Sequence, residues 1–340
     1  MPPVQFKSPL ILAVLLWFGV GPSIARAWET KTLNGREYVA VEGMKEFYNF
    51  DSIRRNGNQV ILDKTDPKDK KKGVLMTLRL GAQECLMNGV KFVFSYKVED
   101  AGGRAWISRI DLAKLVDPVL RPNYIGNAGN FSTVIIDAGH GGKDPGATNG
   151  LGTEATYNLD VAERLKKALI KEGYKVLMTR DSNRYLTLQE RVDFANRVKE
   201  NAIFISIHHN SGGNAARGLE TFTLSPIGVA HYGRGLNDSD FQARTGNSHD
   251  SANVALATAV HGSVSRRLGK NTFDRGIKRA RFSVLTGVKH PSILIECGFM
   301  THQLEARLIQ NEVYRNAVAN GIADAVKKYR LAVSRQVAKP

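Results

Sequence analysis

The chain has 340 residues, more than the roughly 250–300 at which a single hydrophobic core stops growing, so two domains are expected. With 42% hydrophobic and 24% charged residues it can bury a core, which argues against a disordered, fibrous or repeat protein. The 48 lysines and arginines exceed the 32 acidic residues, a surplus that suits an anionic polymer such as nucleic acid, anionic lipid or cell-wall glycan. Two cysteines, Cys85 and Cys297, exclude a disulfide scaffold and a four-cysteine metal site.

The first 27 residues have the pattern of a cleaved secretory signal. Lys7 precedes a short apolar run, Leu10–Val20, and a small-residue triplet follows at Ala25–Ala27. Because a membrane span needs about 20 apolar residues, the run is too short to cross a bilayer. We therefore predict a signal peptide over residues 1–27, an exported protein of the periplasm or the cell surface, and no stable membrane insertion after cleavage. The alternative is an apolar run that is kept as a membrane anchor.

Residues 28–120 have the pattern of a small α+β domain. The pairs Asn56-Gly57 and Asn88-Gly89 are typical of tight hairpin turns between short strands. The hairpin spacing and the closing stretch W-I-S-R-I-D-L-A-K-L resemble the copper amine oxidase N-terminal-like domain. That resemblance implies no copper chemistry, because the region contains no histidine. We predict an accessory domain here.

Strands and helices alternate in the rest of the chain. Residues 121–130 are rich in proline, glycine and asparagine and are predicted as a linker, residues 131–332 as the catalytic domain and residues 333–340 as a C-terminal tail. The predicted strands are Val134–Asp137, Tyr174–Thr179, Ala202–Ile207 and Ser292–Ile295. The predicted helices are Thr156–Lys171, Leu188–Lys199, Asn253–Leu268 and, in two pieces, Gln303–Tyr329. Since the strands are continuously apolar, we predict an α/β fold with a mainly parallel twisted sheet and helices on both faces. We expect residues 212–249 to line a groove.

Side chains able to bind a metal follow the strands of this predicted sheet. His140 comes soon after the first strand, His208 ends the third, and Glu296 ends the last. Because ligands bind beyond the carboxyl ends of strands in open α/β sheets, these three side chains can converge. Two imidazoles and one carboxylate are the ligands of a catalytic zinc, and a further carboxylate can move protons. Taken singly, each histidine can instead be a hydrogen-bonded loop residue, and Glu154 a carboxylate favoured by a helix N-terminus.

A series of motifs extends along residues 133–329. In chain order they are I-I-D-A-G-H-G-G-K-D-P-G-A, T-R-D, L-x-x-R, F-I-S-I-H, S-A-N-x-A-L-A, R-G-I-K and I-E-C-G-F. This set resembles the zinc-dependent N-acetylmuramoyl-L-alanine amidase family of the amidase 3 type. The resemblance implies that His140, Glu154 and His208 bind one Zn²⁺ and that Glu296 is the catalytic acid/base.

The same resemblance extends to residues outside the ligand set. It implies that Asn210 and Arg275 bind substrate. Neighbouring residues of a strand point to opposite faces, so at most one of His208 and His209 is expected to bind the metal. The family usually has H-A-N where this chain has His208-His209-Asn210, and we assign the ligand to the first histidine because it holds the family's position. His302 stands where the family commonly has asparagine, and the sequence assigns it no role.

The resemblance implies a peptidoglycan hydrolase. The bond cleaved would join the lactyl group of N-acetylmuramic acid to L-alanine of the stem peptide, in cell-wall remodelling or daughter-cell separation, with a regulatory or activator protein as a further candidate partner. The alternatives are another zinc peptidase acting on stem peptides and a catalytically silent wall-binding or activator protein. Charge alone suggests nucleic acid, but the signal sequence and the lack of a recognition motif lead us to expect no nucleic-acid partner.

Overall fold

The structure is a computed structural model that describes residues 28–66, 68, 73–126, 128 and 130–334. The predicted signal peptide, residues 1–27, lies outside the described residues, as does most of the predicted tail, residues 335–340. Within the part of the chain that is described, no helix is both long enough and apolar enough to span a lipid bilayer.

The region up to residue 120 consists mainly of short antiparallel strands. Its elements are β1 (Thr30–Leu33), β2 (Arg36–Ala40), α1 (Val41–Phe47), β3 (Ser52–Asn56), β4 (Gln59–Lys64), β5 (Val74–Arg79), β6 (Glu84–Met87), β7 (Val90–Val93), β8 (Glu99–Ala101), β9 (Arg104–Ser108), α2 (Arg109–Asp111) and α3 (Asp117–Leu120). A π-helical turn, Leu112–Val116, joins α2 to α3. Asn88 and Gly89 have φ angles of 50° and 77° and form the predicted turn between β6 and β7.

After residue 130 strands and helices alternate, as predicted. The elements are β10 (Thr133–Ala138), β11 (Thr148–Asn149), β12 (Gly152–Thr153), α4 (Glu154–Lys171), β13 (Lys175–Met178), α5 (Leu188–Arg197), β14 (Ala202–Asn210), β15 (Leu219–Leu224), α6 (Asp250–Leu268), β16 (Asp274–Ala280), α7 (Ser283–Gly287), β17 (Ser292–Phe299), α8 (Gln303–Gln310) and α9 (Glu312–Ser334). The C-terminal run is helical in two pieces, as the sequence predicts.

A single twisted sheet organises this second region. Its strands lie in the order β13-β10-β14-β17-β15-β16. Only the β17–β15 pair is antiparallel among these neighbours, and the other pairs are parallel. This confirms the predicted α/β class with a mainly parallel sheet.

Helices cover both faces of the sheet, and alternate residues of β14 show the two cores. Ile205 packs with α4, α6 and α9 on one face, whereas Phe204 packs with α5 and α7 on the other. On the α5/α7 face the apolar core ends at Phe204, Leu294 and Phe222. Beyond that point the same face carries polar side chains.

Two strands of the sheet, β15 and β16, were not predicted. The expectation that residues 212–249 line a groove is wrong for Leu219–Leu224, because all six residues of that strand are buried in the sheet. β16 escaped prediction because its sequence, D-R-G-I-K-R-A, is rich in charge, yet most of it is buried.

The sheet continues into the first region. β16 pairs in parallel with β7, Ile277 opposite Phe92, so the strand order extends through β7-β6-β5-β4-β3. The carboxylate of Asp274 accepts a hydrogen bond from the Lys91 amide at 3.0 Å, and Arg279 donates to the Lys114 carbonyl at 2.7 Å. The division of the chain into two domains at residues 121–130 remains a prediction.

Candidate metal centre and active site

His140 lies in the turn after β10 and has an unusual backbone conformation. Its φ of 61° lies in the left-handed region that residues other than glycine rarely adopt. Two buried arginines hold this turn: Arg180 donates to the Gly139 carbonyl and Arg191 to the His140 carbonyl, both at 2.8 Å. Asp144 Oδ2 lies 2.8 Å from His140 Nδ1, which favours a proton on Nδ1 and leaves the Nε2 lone pair free.

Glu154 is the first residue of α4 and is buried. Thr153 caps the helix, and Glu154 Oε2 accepts a hydrogen bond from the Ala147 amide at 3.0 Å. Its Oε1 lies 3.2 Å from His140 Nε2 and 2.9 Å from His208 Nδ1. Burial raises the pKa of this carboxyl, but its hydrogen bonds with the two histidines outweigh burial and hold the pKa well below its usual value. The side chain is therefore a carboxylate aimed between two imidazoles.

The structure brings the three predicted metal ligands together. One candidate ligand atom from each of His140, Glu154 and His208 lies within 4.8 Å of the others. Ligand atoms of a tetrahedral zinc with bonds near 2.1 Å are roughly 3.4 Å apart, and the 3.2 Å between His140 Nε2 and Glu154 Oε1 is close to that value. The ring of His208 packs over Gly139, where a Cβ would lie 2.2 Å from it, so only glycine fits beneath the ring. The donor set and its spacing fit a zinc ion.

Glu296 lies beside this cluster on the next strand. It is the direct neighbour of His208 in the β14–β17 ladder, so both side chains are on the same face of the sheet. Its Oε2 is buried and has no hydrogen-bond partner among the described residues. Burial, together with the charges of Glu154 and Glu220, raises the pKa of Glu296 well above its usual value. The group is thus suited to hold a proton and release it.

A buried ion-pair cluster lies next to Glu296, on the side away from His208. Glu220, on β15, is opposite Glu296 in the antiparallel ladder. Its Oε1 accepts hydrogen bonds from Lys278 at 2.8 Å and from Arg275. The sequence analysis missed Glu220, although one signal was available: it is the only charged residue in the run L-E-T-F-T-L.

The two predicted substrate-binding residues both touch this cluster. Asn210, the last residue of β14, donates from Nδ2 to Glu220 Oε2 at 3.4 Å. Arg275, on β16, has a side chain that is 32% exposed, and its guanidinium lies 4.9 Å from the centre of the Phe299 ring. Both residues therefore lie at the border between the buried ion-pair cluster and solvent.

Three other residues considered in the sequence lie away from the cluster. His209 is fully buried on the opposite face, where its Nδ1 lies 2.8 Å from Asn158 Oδ1, and burial lowers its pKa to about 4. Cys297 packs in the apolar core, facing away from Glu296 as expected. His302 caps α8 by accepting a hydrogen bond from the Glu305 amide. None of the three contributes a ligand atom to the cluster.

Comparison with known proteins finds the same family along this region. The family model described as N-acetylmuramoyl-L-alanine amidase matches residues 134–328, more than half of the chain. The chain is 34% identical over 198 residues to the uncharacterized protein YqiI of Bacillus subtilis, covering 58% of this chain and 84% of that protein. It is 33% identical to the amidase LytC of the same organism, covering 58% of this chain and 35% of LytC.

The chain is also similar to a third relative and to one solved structure. The amidase AmiC of Neisseria meningitidis is 30% identical over 230 residues, and the match covers 60% of this chain and 54% of AmiC. The chain therefore spans about half or less of the length of the two named amidases. The catalytic domain of the amidase CwlV from Bacillus (Paenibacillus) polymyxa matches with 32% identity and a TM-score of 0.49, covering 58% of this chain and 98% of that domain.

Proposed function

This chain belongs to the N-acetylmuramoyl-L-alanine amidase family, and from that premise we propose that it hydrolyses one amide bond of peptidoglycan. The bond joins the lactyl carbonyl of N-acetylmuramic acid to the amine of L-alanine, the first residue of the stem peptide. The observation that carries the proposal is the meeting of His140, Glu154 and His208 with Glu296 beside them on one face of the sheet.

We propose that the cluster holds one zinc ion. His140, Glu154 and His208 supply two nitrogens and one oxygen, which leaves a fourth position for water or substrate. When bound there, zinc would lower the pKa of a water molecule towards 7 and polarise the carbonyl that is attacked.

The chain's own residues then manage the protons. Glu296 accepts the proton of the attacking water and gives it to the nitrogen of L-alanine as the amide bond breaks, so one water is consumed and a carboxylate and an amine are released. Its buried, unpartnered oxygen and raised pKa support this role, because a carboxyl that binds a proton readily is the more effective base near neutral pH. Asn210 and Arg275, at the open border of the site, bind the substrate.

The proposed setting is outside the cytoplasm. The sequence of residues 1–27 supports export by a cleaved signal peptide, with the mature enzyme in the periplasm or at the cell surface. There it takes part in cell-wall remodelling or daughter-cell separation. Residues 28–120 form an accessory domain, residues 131–332 form the catalytic domain, and a regulatory or activator protein is a candidate partner.

Product analysis tests the activity directly. Purified sacculi are digested with the protein, with and without a metal chelator, and the products are identified by mass spectrometry. We expect stem peptides with a free L-alanine amine, glycan with a free lactyl carboxyl, and no products once the metal is removed. Cleavage within the stem peptide would instead identify a zinc peptidase, and unchanged sacculi would identify a non-catalytic wall-binding protein.

A further inference from the structure

Arg275 is placed next to the active site by an irregularity in the sheet. In the β15–β16 ladder Leu219 pairs with Asp274 and Glu220 with Gly276, so Arg275 is an extra residue with no opposite partner. Such a bulge redirects a side chain relative to the regular alternation. Gly276 has a φ of 90°, a value open mainly to glycine, which allows the bend. The side chain of Arg275 thereby reaches Glu220 on the active-site face.

The guanidinium of Arg275 keeps unused hydrogen-bonding capacity. Its Nε is paired with Glu220, but its two terminal nitrogens have no hydrogen-bond partner within the described residues. Glu220 is also paired with Lys278, which is almost fully buried. One carboxylate thus faces two cations, and the surplus positive charge lies on the more exposed of them, Arg275. This is the arrangement expected of an anion-binding group.

The order of the strands indicates how far the Arg275 guanidinium lies from the amide bond that is cleaved. Glu220 lies directly opposite Glu296, and neighbouring strands are about 4.8 Å apart. Arg275 is on β16, two strands from Glu296, and its guanidinium reaches back to Glu220 on the strand between them, so it lies roughly one to two strand spacings, about 5–10 Å, from the proton-transferring group. Since an extended peptide advances about 3.3–3.6 Å per residue, that distance corresponds to about one to three residues past the scissile amide, a range that includes the second residue of the stem peptide.

We propose that Arg275 binds the free carboxylate of the second residue of the stem peptide and makes the enzyme prefer substrates in which that carboxylate is not amidated. This inference rests on the proposed amidase function. Arginine suits the task because its planar fork offers two parallel hydrogen bonds to a carboxylate, whereas a primary amide offers only one acceptor and no charge. Phe299, beneath the guanidinium, limits its movement.

The test uses two muramyl tripeptides that differ only at the second residue, isoglutamate in one and isoglutamine in the other. We expect the unmodified enzyme to favour the acid in kcat/KM. Arg275→Gln is expected to lower kcat/KM for the acid by about 10-fold more than kcat/KM for the amide, so that the preference for the acid is lost. Arg275→Lys keeps the charge but loses the two parallel donors. Its preference for the acid is expected to lie between those of the unmodified enzyme and Arg275→Gln.

Two controls separate binding from damage to the fold. Zinc content and melting temperature are measured for each variant, and Arg197→Gln, an exposed arginine at the end of α5, is expected to behave like the unmodified enzyme. Equal kcat/KM for acid and amide in the unmodified enzyme would overturn the inference alone, as would an equal loss on both substrates in Arg275→Gln. If the unmodified protein cleaves neither substrate, the proposed function fails and the inference fails with it.

Discussion

Glu296 and Glu220 are opposite each other on neighbouring strands, but their surroundings differ. Glu220 is neutralised by Lys278 and Arg275, whereas one oxygen of Glu296 is buried with no hydrogen-bond partner in the described part of the chain. A buried, unpaired carboxylate is costly in a fold and is therefore expected where chemistry needs it. The same side chain thus belongs to an ion-pair network at position 220, whereas at position 296 its surroundings support the proton transfer that we propose.

The role of Glu296 predicts a separation of metal binding from turnover. Glu296→Gln keeps the shape of the side chain but cannot accept the water proton, so we expect zinc content to be unchanged and amide hydrolysis to fall at least about 100-fold. Zinc is measured by elemental analysis and hydrolysis with a muramyl peptide. Glu163→Gln, an exposed position on α4, is the matched control. Near-normal hydrolysis by Glu296→Gln would show that another group moves the proton.

Removal of a predicted ligand has a different signature. His140→Ala deletes one of the two imidazoles, so we expect zinc affinity to fall by more than about 100-fold, beyond the 10–100-fold typical of groups that only support a ligand, and activity to be lost with it. A competition titration with a chromophoric chelator measures the affinity. His302→Asn, at the α8 cap, is the control and keeps both properties. Unchanged zinc affinity in His140→Ala would remove His140 from the ligand set.

The sequence was informative about single residues only where a motif carried them. His140, His208 and Glu296 were singled out because each lies at or just after a strand end, and Glu154 because it opens the following helix and matches a motif of the family that the chain resembles. Glu220 was not, because its importance depends on strand pairing between β15 and β17, which residues 76 positions apart do not reveal in one sequence.

At the scale of an element, the turn after β10 depends on charges buried beneath it. Arg191 donates to Asp137 Oδ1 and to the Ala138 carbonyl, both at 2.7 Å, and also to the His140 carbonyl. Burial raises the pKa of Asp137, but the charge of Arg191 and three hydrogen bonds lower it overall. The ion pair therefore fixes the backbone that presents His140.

Replacement of Arg191 tests this support. Arg191→Met leaves Asp137 buried without its cation, so we expect the free energy of unfolding to fall by about 3–5 kcal/mol and zinc affinity to fall by about 10-fold. Urea denaturation and a zinc competition titration measure the two effects. Arg267→Met removes an exposed pair with Asp324 and is expected to cost less than about 1 kcal/mol. Equal losses in the two variants would contradict the support that we assign to Arg191.

Strands were predicted where they are apolar and missed where charges are paired. β10 and β14 are continuous apolar runs, and the sequence identified both. β16 contains Lys278 and Arg279, which are buried with partners on β15: Lys278 donates to Glu220 and Arg279 donates to Thr223. Those partners belong to the three-dimensional arrangement, so local sequence patterns predicted no strand there.

At the scale of the whole molecule, the two regions are joined through β7 and β16. Asp274 lies at this junction: its carboxylate accepts hydrogen bonds from the amides of Lys91 and Gly276 and lies 2.9 Å from His261 Nε2. The contact between β7 and the catalytic sheet is therefore stabilised by a partly buried charge. Chain length predicts two domains, which stays a prediction, and it gives no sign of the sheet that the two regions share.

From the hydrogen bonds of Asp274 we predict that its loss destabilises the fold of both regions. Asp274→Ala leaves two amides and one imidazole without their acceptor, so we expect the free energy of unfolding to fall by about 2–4 kcal/mol, with zinc content retained. Circular dichroism melts measure the change. Asp100→Ala, which breaks an exposed pair with Arg55, is the control and is expected to cost about 1 kcal/mol or less. A melting temperature unchanged by Asp274→Ala would mean that the junction carries little of the stability.

The continuous sheet has a mechanical consequence. Because β3 to β7 belong to the same hydrogen-bonded sheet as the catalytic strands, we expect these five strands to move together with the catalytic groups. If these strands bound a polymer, the polymer would be cleaved at a fixed distance from the position where it is bound. A flexible hinge between the two regions would instead allow cleavage at variable distances.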